Sequence, residues 1–72
     1  MILNIAAYRF VAIADPDALA LQLRERAEQG GLRGSVLVAP EGVNLFLAGE
    51  EAALRGLLDW LRGDPRFAAL QV

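Results

Sequence analysis

The 72-residue sequence predicts an α+β sandwich, in which two helices cover one face of a four-stranded antiparallel sheet. Three observations support this prediction. Strand-like and helix-like segments follow one another in the order βαββαβ, with the last strand cut short. Residues 33–49 form a hairpin whose strands are apolar at nearly every position, so both of its faces need cover. The length leaves room for a single domain, residues 1–72.

The first strand and the first helix are separated by a change of residue type. Residues 3–13 are rich in β-branched and aromatic side chains, which favour a strand. Asp15 is a typical N-cap and Pro16 suits the first helical position, so a helix is expected to begin here and to run to about Gln29. Gly30 and the glycine after it end this helix. Its inward side is an apolar stripe at helical spacing, formed by Leu19, Ala20, Leu23 and Ala27.

The hairpin is defined by a turn between two short apolar runs, residues 35–39 and 43–48. Pro40 sets the first corner of this turn, and Gly42 can adopt the positive φ that a bulged or type II turn needs. The two runs are therefore expected to pair as neighbouring antiparallel strands.

A second helix is predicted after Gly49, with an apolar stripe and an aromatic residue at its edge. Gly63 is expected to be the left-handed residue that ends it, and Pro65 prevents it from continuing. Residues 67–72 return toward the sheet, where a fourth strand would begin. The stripe consists of Leu54, Leu57, Leu58 and Leu61, with Trp60 at the edge.

This order of elements gives a ferredoxin-like (acylphosphatase-like) βαββαβ sandwich, which leaves one face of the sheet without helices. The sequence allows two phases for the strands. The open face receives either Ile5, Ala7, Arg9 and Val11 with Leu45 and Leu47, or Ala6, Tyr8, Phe10 and Ala12 with Phe46 and Ala48. We expect Tyr8 and Phe10 to lie under the helices and Arg9 outside, because a buried unpaired guanidinium is costly.

Either phase makes the open face largely apolar, which marks a docking surface for another domain, another subunit or a ligand. In the expected phase Val11 and Leu45 lie on that surface. The hydrophobic fraction, 56%, supports this view, because it exceeds the roughly 45–50% that is usual for soluble domains. An isolated chain of this kind is expected to self-associate through the open face.

The composition excludes several kinds of chemistry. The chain has no cysteine and no histidine, so thiol nucleophiles and the usual zinc sites are absent, and neither a metal nor a cofactor is expected. The net charge of −2 argues against a domain drawn to nucleic acid by its own field. Its apolar runs are too short to span a bilayer, and no secretory signal is recognisable. We therefore expect a cytoplasmic protein without a membrane partner.

Catalysis by this chain is not expected. An acylphosphatase-type hydrolase needs a phosphate cradle after the first strand, but residues 12–17 have no glycine and include a proline and two carboxylates. A stand-alone hydrolase or small-ligand module of this fold stays open as the alternative function. Asp15 and Asp17 can be interpreted as a pair of cation ligands, but helix capping explains them without a metal.

Two groups of residues remain as candidate binding positions. Aromatic residues on the first and third strands suggest an RNA-recognition platform, formed by Tyr8 or Phe10 with Phe46, although core packing is the expected role of these rings. The turn is the better candidate, since turn chemistry alone explains Glu41 poorly and Asn44 only in part. Arg9 and Arg33 are the only charges within the strands, and each can pair with a carboxylate or with a partner's phosphates.

Several motifs in this chain are similar to those of one bacterial family. They are Tyr8-Arg9-Phe10-Val11, Gly31-Leu32-Arg33-Gly34, Ala39-Pro40-Glu41-Gly42-Val43-Asn44, Leu47-Ala48-Gly49, Trp60-Leu61-Arg62 and Asp64-Pro65-Arg66-Phe67. The whole chain resembles the N-terminal acylphosphatase-like domain of the rhodanese-like tRNA uridine-hydroxylating proteins, also described as rhodanese-related sulfurtransferases.

The resemblance implies a longer protein that forms 5-hydroxyuridine at the tRNA wobble position in an oxygen-dependent reaction. The rhodanese domain would follow this one and carry the chemistry. This chain would then be a non-catalytic accessory domain, with that catalytic domain as its partner and tRNA as a partner of the whole protein. The resemblance implies substrate binding at Arg33, Glu41 and Asn44, which match the family motifs, and at Arg9, where relatives usually have lysine.

Overall fold

The computed structural model describes residues 1–72 and has five main elements. These are β1 (Ile2–Phe10), α1 (Pro16–Gln29), β2 (Arg33–Ala39), β3 (Gly42–Glu50) and α2 (Glu51–Arg62), followed by a short 3-10 turn at Pro65–Phe67. The elements therefore follow the predicted order as far as α2. No helix in the chain combines the length and the apolar character that a membrane crossing requires.

The sheet has three antiparallel strands in the order β1-β3-β2. The predicted fourth strand is represented by a single bridge, in which Tyr8 and Gln71 exchange backbone hydrogen bonds of 2.8 and 3.0 Å. The chain reaches this position only after the 3-10 turn, because Pro65 and the Asp64 side chain, which accepts from the Arg66 backbone N–H, hold the intervening residues in a bend.

Glycines shape the hairpin as predicted but not the end of α2. Gly42 has φ +155° and closes the β2–β3 turn, where an added Cβ would overlap the Arg9 carbonyl oxygen. Gly63 was expected in the left-handed region, and that prediction was wrong, since its φ is −67°. Its N–H donates to the Asp59 and Trp60 carbonyls, so the helical winding simply continues into the turn that follows.

The core lies between the helices and one face of the sheet, and both predicted helix stripes are buried. The expected phase of β1 was wrong: Ala7 is buried, whereas Tyr8 and Phe10 are exposed. The register explains this result, because β3 sets the phase for the whole sheet. The core side chains contributed by the strands are Ala7, Val36, Val43, Leu45 and Leu47, with Leu3, Ile5, Val11 and Val38 packed against them.

The choice of face minimises the polar groups that the helices must cover. Packing the opposite face would place Asn4, Arg33, Ser35 and Asn44 under the helices. The observed face buries part of only one charged side chain, that of Arg9, which is partly exposed. One arginine at the end of a strand is less unfavourable than four polar side chains spread across the sheet. Consequently Val11 and Leu45 belong to the core rather than to a docking surface.

Candidate binding face

The face of the sheet that carries no helix is a continuous surface built from alternate residues of all three strands. We call it the open face. Strand pairing arranges its side chains in rows across the sheet, because directly paired residues point to the same side. Its members are Ile2, Asn4, Ala6, Tyr8, Phe10, Arg33, Ser35, Leu37, Ala39, Asn44, Phe46, Ala48 and, at the far end from the hairpin, Glu50.

Large apolar side chains are concentrated on the open face. Of the eight that the chain exposes most, five lie here, namely Ile2, Tyr8, Phe10, Leu37 and Phe46. Phe10 is 76% exposed, Phe46 is 52% exposed and Tyr8 is 47% exposed. The expectation that these three rings pack in the core was therefore wrong. The rings are exposed because the strand register places aliphatic residues on the side of the sheet that packs against the helices.

The middle of the open face has no charged side chain. The middle row, Ala6–Phe46–Ser35, and the two rows toward the hairpin end, Tyr8–Asn44–Leu37 and Phe10–Gly42–Ala39, contain none. The Tyr8 and Phe10 rings lie 5.9 Å apart at an angle of 56°. A surface of this kind presents aromatic and aliphatic groups with single amide and hydroxyl groups among them, which suits a partner with flat or apolar groups.

The predicted residues Glu41 and Asn44 are brought together at the hairpin end of the open face. They line a shallow pocket of about 330 Å³ with Phe10, Ala39 and Gly42. The side chains of Glu41 and Asn44 make no hydrogen bond within the chain. Both polar groups are therefore free to bind something outside the chain.

Arg33 lies on the same face but at its other end. It lines a second pocket of about 280 Å³ with Asn4, Phe46 and Ala48 among others. Arg33 pairs with Ala48, four residues along β3 from Asn44, which places it about 14 Å from the row of Asn44. Its guanidinium makes no ion pair with an acidic side chain.

Arg9 does not belong to the open face. It was expected outside the helix layer, but it points to the helix side, opposite Val43 of β3. Its Nε atom is buried without a hydrogen-bond partner. The structure thus groups Glu41 with Asn44, places Arg33 on the same surface, and separates Arg9 from the other three.

The loop between β1 and α1 is not shaped as an anion cradle. The backbone N–H groups of Val11 and Ile13 donate to the Glu41 and Pro40 carbonyls, so they are committed to the hairpin. Asp15 was expected to cap α1, but its side chain makes no capping hydrogen bond. Its carboxylate instead accepts from the Arg66 guanidinium at 2.6 Å. This contact accounts for Asp15 without a cation.

A groove between α1 and α2 was not anticipated from the sequence. Trp60 lies at its centre, and the Arg26 guanidinium stacks over the indole ring, 4.1 Å from its centroid. At one end Arg66 binds Asp64 through two nitrogens, and these hydrogen bonds lower the pKa of the Asp64 carboxyl while raising the pKa of Arg66. The contact between Arg26 and Trp60 joins helix α1 to helix α2, far along the chain, so no local pattern could reveal it.

Comparison with known proteins places the chain in a defined group. The model of the UPF0176 acylphosphatase-like domain matches residues 2–72. A tRNA uridine(34) hydroxylase of Bordetella parapertussis is 57% identical over 70 residues, which cover 97% of this chain and 29% of the relative. The corresponding protein of Cupriavidus necator is 54% identical over 67 residues, covering 93% and 24%. That of Xylella fastidiosa is 54% identical over 72 residues, covering 100% and 28%. The chain thus spans about a quarter of the length of these relatives.

Proposed function

Because this chain belongs to the family of UPF0176 acylphosphatase-like domains, we propose that it is the N-terminal accessory domain of a longer, rhodanese-like protein that modifies tRNA. The longer protein would form 5-hydroxyuridine at the wobble position of tRNA in an oxygen-dependent reaction, in the cytoplasm. The observation that supports this proposal best is the match to tRNA uridine(34) hydroxylases over 93% or more of this chain, but only 24–29% of theirs.

The chemistry is assigned to the rest of the longer protein. This chain has no cysteine or histidine to act as a nucleophile or a base. The carboxylates of Asp15 and Asp64 are both paired with the Arg66 guanidinium. We therefore assign this chain binding and docking roles, not catalysis.

The free edge of β1 is proposed to take a fourth strand from the polypeptide that follows Val72. Tyr8 turns its N–H and C=O toward Gln71, so the same groups of Ala6, Asn4 and Ile2 point to that edge as well. Antiparallel continuation from Gln71 would bring the next residues alongside them and complete a ferredoxin-like sheet. An unpaired edge of this length invites such pairing.

The open face is proposed to dock on the catalytic part of the same protein. Phe46 and Leu37 are more than half exposed on a surface that lacks charge at its centre, and the relatives supply between two and three times this length of further chain. Burying these side chains against another domain would stabilise the contact between the two domains by about 25 cal/mol per Å² of apolar surface removed from water. Without that domain, two copies of the chain would meet through the same face.

Hydrogen exchange in the 72-residue chain and in the full gene product tests both contacts. We expect the amides of Ile2, Asn4 and Ala6 to be protected only in the longer protein. We also expect Phe46→Ala to loosen the longer protein's domain contact, whereas Leu21→Ala, an equally exposed position on α1, leaves it unchanged.

A parallel assay addresses the alternative hydrolase. Turnover of an acyl phosphate by the 72-residue chain, together with a monomeric elution from gel filtration, would overturn the accessory role. If the amides of Ile2, Asn4 and Ala6 exchange hydrogen equally fast in the longer protein and in the 72-residue chain, the proposed fourth strand is wrong.

A further inference from the structure

We propose that the pocket at the hairpin end of the open face binds one unstacked base of single-stranded RNA. The base would carry an imide edge, which is a ring N–H beside a carbonyl, as found in uracil and guanine. This inference rests on the proposed function only in so far as a tRNA-modifying protein brings RNA to this surface. The pocket lies in the last row of the face, so a domain seated on Phe46 and Leu37 would leave it at the rim.

An exposed ring forms one wall of the pocket. Phe10, the last residue of β1, is 76% exposed. Aromatic rings on a sheet surface provide the stacking platform that single-stranded RNA uses, and each base gains affinity from its ring. Tyr8, whose ring centroid lies 5.9 Å from that of Phe10, offers a second surface for the neighbouring base.

Two uncommitted polar side chains face the same pocket, and their chemistry selects the base. The Glu41 carboxylate only accepts hydrogen bonds, so it matches a ring N–H. The Asn44 amide can donate its NH₂ to the adjacent carbonyl oxygen. Adenine and cytosine have no ring N–H on the Watson–Crick edge, and would place an acceptor against the carboxylate.

The remaining walls allow a flat group to approach closely. Gly42 has no side chain and Ala39 has only a methyl group, so neither residue keeps a flat ring away from the backbone. The pocket volume of about 330 Å³ exceeds the volume of a single base. Arg33, about 14 Å away along the same face, has no acidic partner and can contact a phosphate of the same strand. The pocket thus selects the base, and Arg33 attracts a phosphate of the same RNA strand.

Matched RNA pentanucleotides test the proposal by NMR titration of the 72-residue chain. AAUAA, AAGAA, AACAA and AAAAA differ only in the central base. We expect AAUAA or AAGAA to bind at least 5-fold more tightly than the other two, with amide shifts centred on Phe10, Gly42 and Asn44. The U and G arms distinguish the two sources of the imide edge.

Three variants assign the effect to particular groups. Phe10→Ala should weaken binding of every pentanucleotide by about 5-fold or more, because stacking is lost. Glu41→Gln should remove the preference for an imide base by strengthening binding of AAAAA and AACAA, because the amide can donate to the ring nitrogen of adenine or cytosine as readily as it accepts from an imide N–H. Leu21→Ala, a control on the helix side of the molecule, should change neither result.

Equal binding of all four pentanucleotides, or shifts that spread over the molecule, would overturn the proposal. So would protection of Phe10 and Asn44 by the rest of the longer protein, since a protein partner would then occupy the pocket. Hydrogen exchange at the β1 edge is independent of these outcomes, so the proposed accessory role can fail or hold separately.

Discussion

The two sides of β3 are predicted to respond very differently to the same kind of truncation. Leu45 and Phe46 are neighbours in sequence, yet Leu45 is 0% exposed and Phe46 is 52% exposed. Leu45 lies in the middle strand, opposite Ala7 of β1 and Val36 of β2, both of which are buried. We therefore expect Leu45→Ala to open a cavity that the surrounding strands cannot fill.

The cost of this cavity is large for so small a domain. Truncation of a fully buried leucine to alanine costs about 2–5 kcal/mol. A chain of this length is expected to have a free energy of unfolding of about 4–11 kcal/mol. Phe46→Ala removes a larger side chain but from a half-exposed position, and should cost about 1 kcal/mol or less. The smaller side chain is thus expected to matter more.

Urea unfolding monitored by the fluorescence of Trp60 and by far-UV circular dichroism measures both changes. With an m-value of about 1–1.5 kcal/mol/M, a loss of about 3 kcal/mol shifts the midpoint by about 2–3 M. Equal shifts for the two variants, or a larger shift for Phe46→Ala, would refute the assignment of faces and the docking proposal with it.

Three further predictions follow from single contacts. Gly34→Ala should lower the midpoint of thermal unfolding strongly, because its φ of +137° disfavours other residues and a Cβ would overlap the Phe46 carbonyl oxygen. A midpoint lowered by less than about 3 °C would contradict this, since a loss of only 1 kcal/mol shifts the midpoint of so small a domain by about 4–8 °C. Arg26→Gln should cost about 0.5–1 kcal/mol and change the Trp60 emission, since the stacked guanidinium is lost; unchanged emission would show that the two do not stack in solution. Asp64 has its pKa lowered from the ordinary 3.8 by hydrogen bonds from a guanidinium, so its stabilisation is complete above pH 3.8 and is lost as the pH falls through the lowered value. Asp64→Asn should therefore reduce stability at neutral pH but not in strong acid, and a pH-independent difference would argue against the ion pair.

Local signals in the sequence identified most of the elements correctly. Pro16 and Gly30 bracket α1, and the Pro40–Gly42 turn fixes the hairpin, because each of these residues restricts the backbone directly. The apolar stripes of both helices were also predictable, since helical periodicity survives in a single sequence.

The sequence of β1 alone could not show which of its two faces packs against the helices. Arg9 suggested one phase, but the decision depends on polar groups of the two partner strands, Ser35 and Asn44, which must share the face of Tyr8 and Phe10. Summing polar residues over all three strands in register would have given the observed answer. The contact of Arg66 with Asp15 offered no such signal, because it joins residues 51 positions apart.

The two borders of the sheet also differ in a way that limits how copies of this chain can join. Val36 lies on β2, and its outward carbonyl accepts a hydrogen bond of 3.1 Å from the Arg24 guanidinium, which obstructs that border, while the β1 border stays available. Copies that associate border to border would pair through the part of β1 before Tyr8 about a two-fold axis, and neither border of that dimer would be free to add a further strand. Strand pairing of this kind closes at a dimer instead of propagating into a fibre.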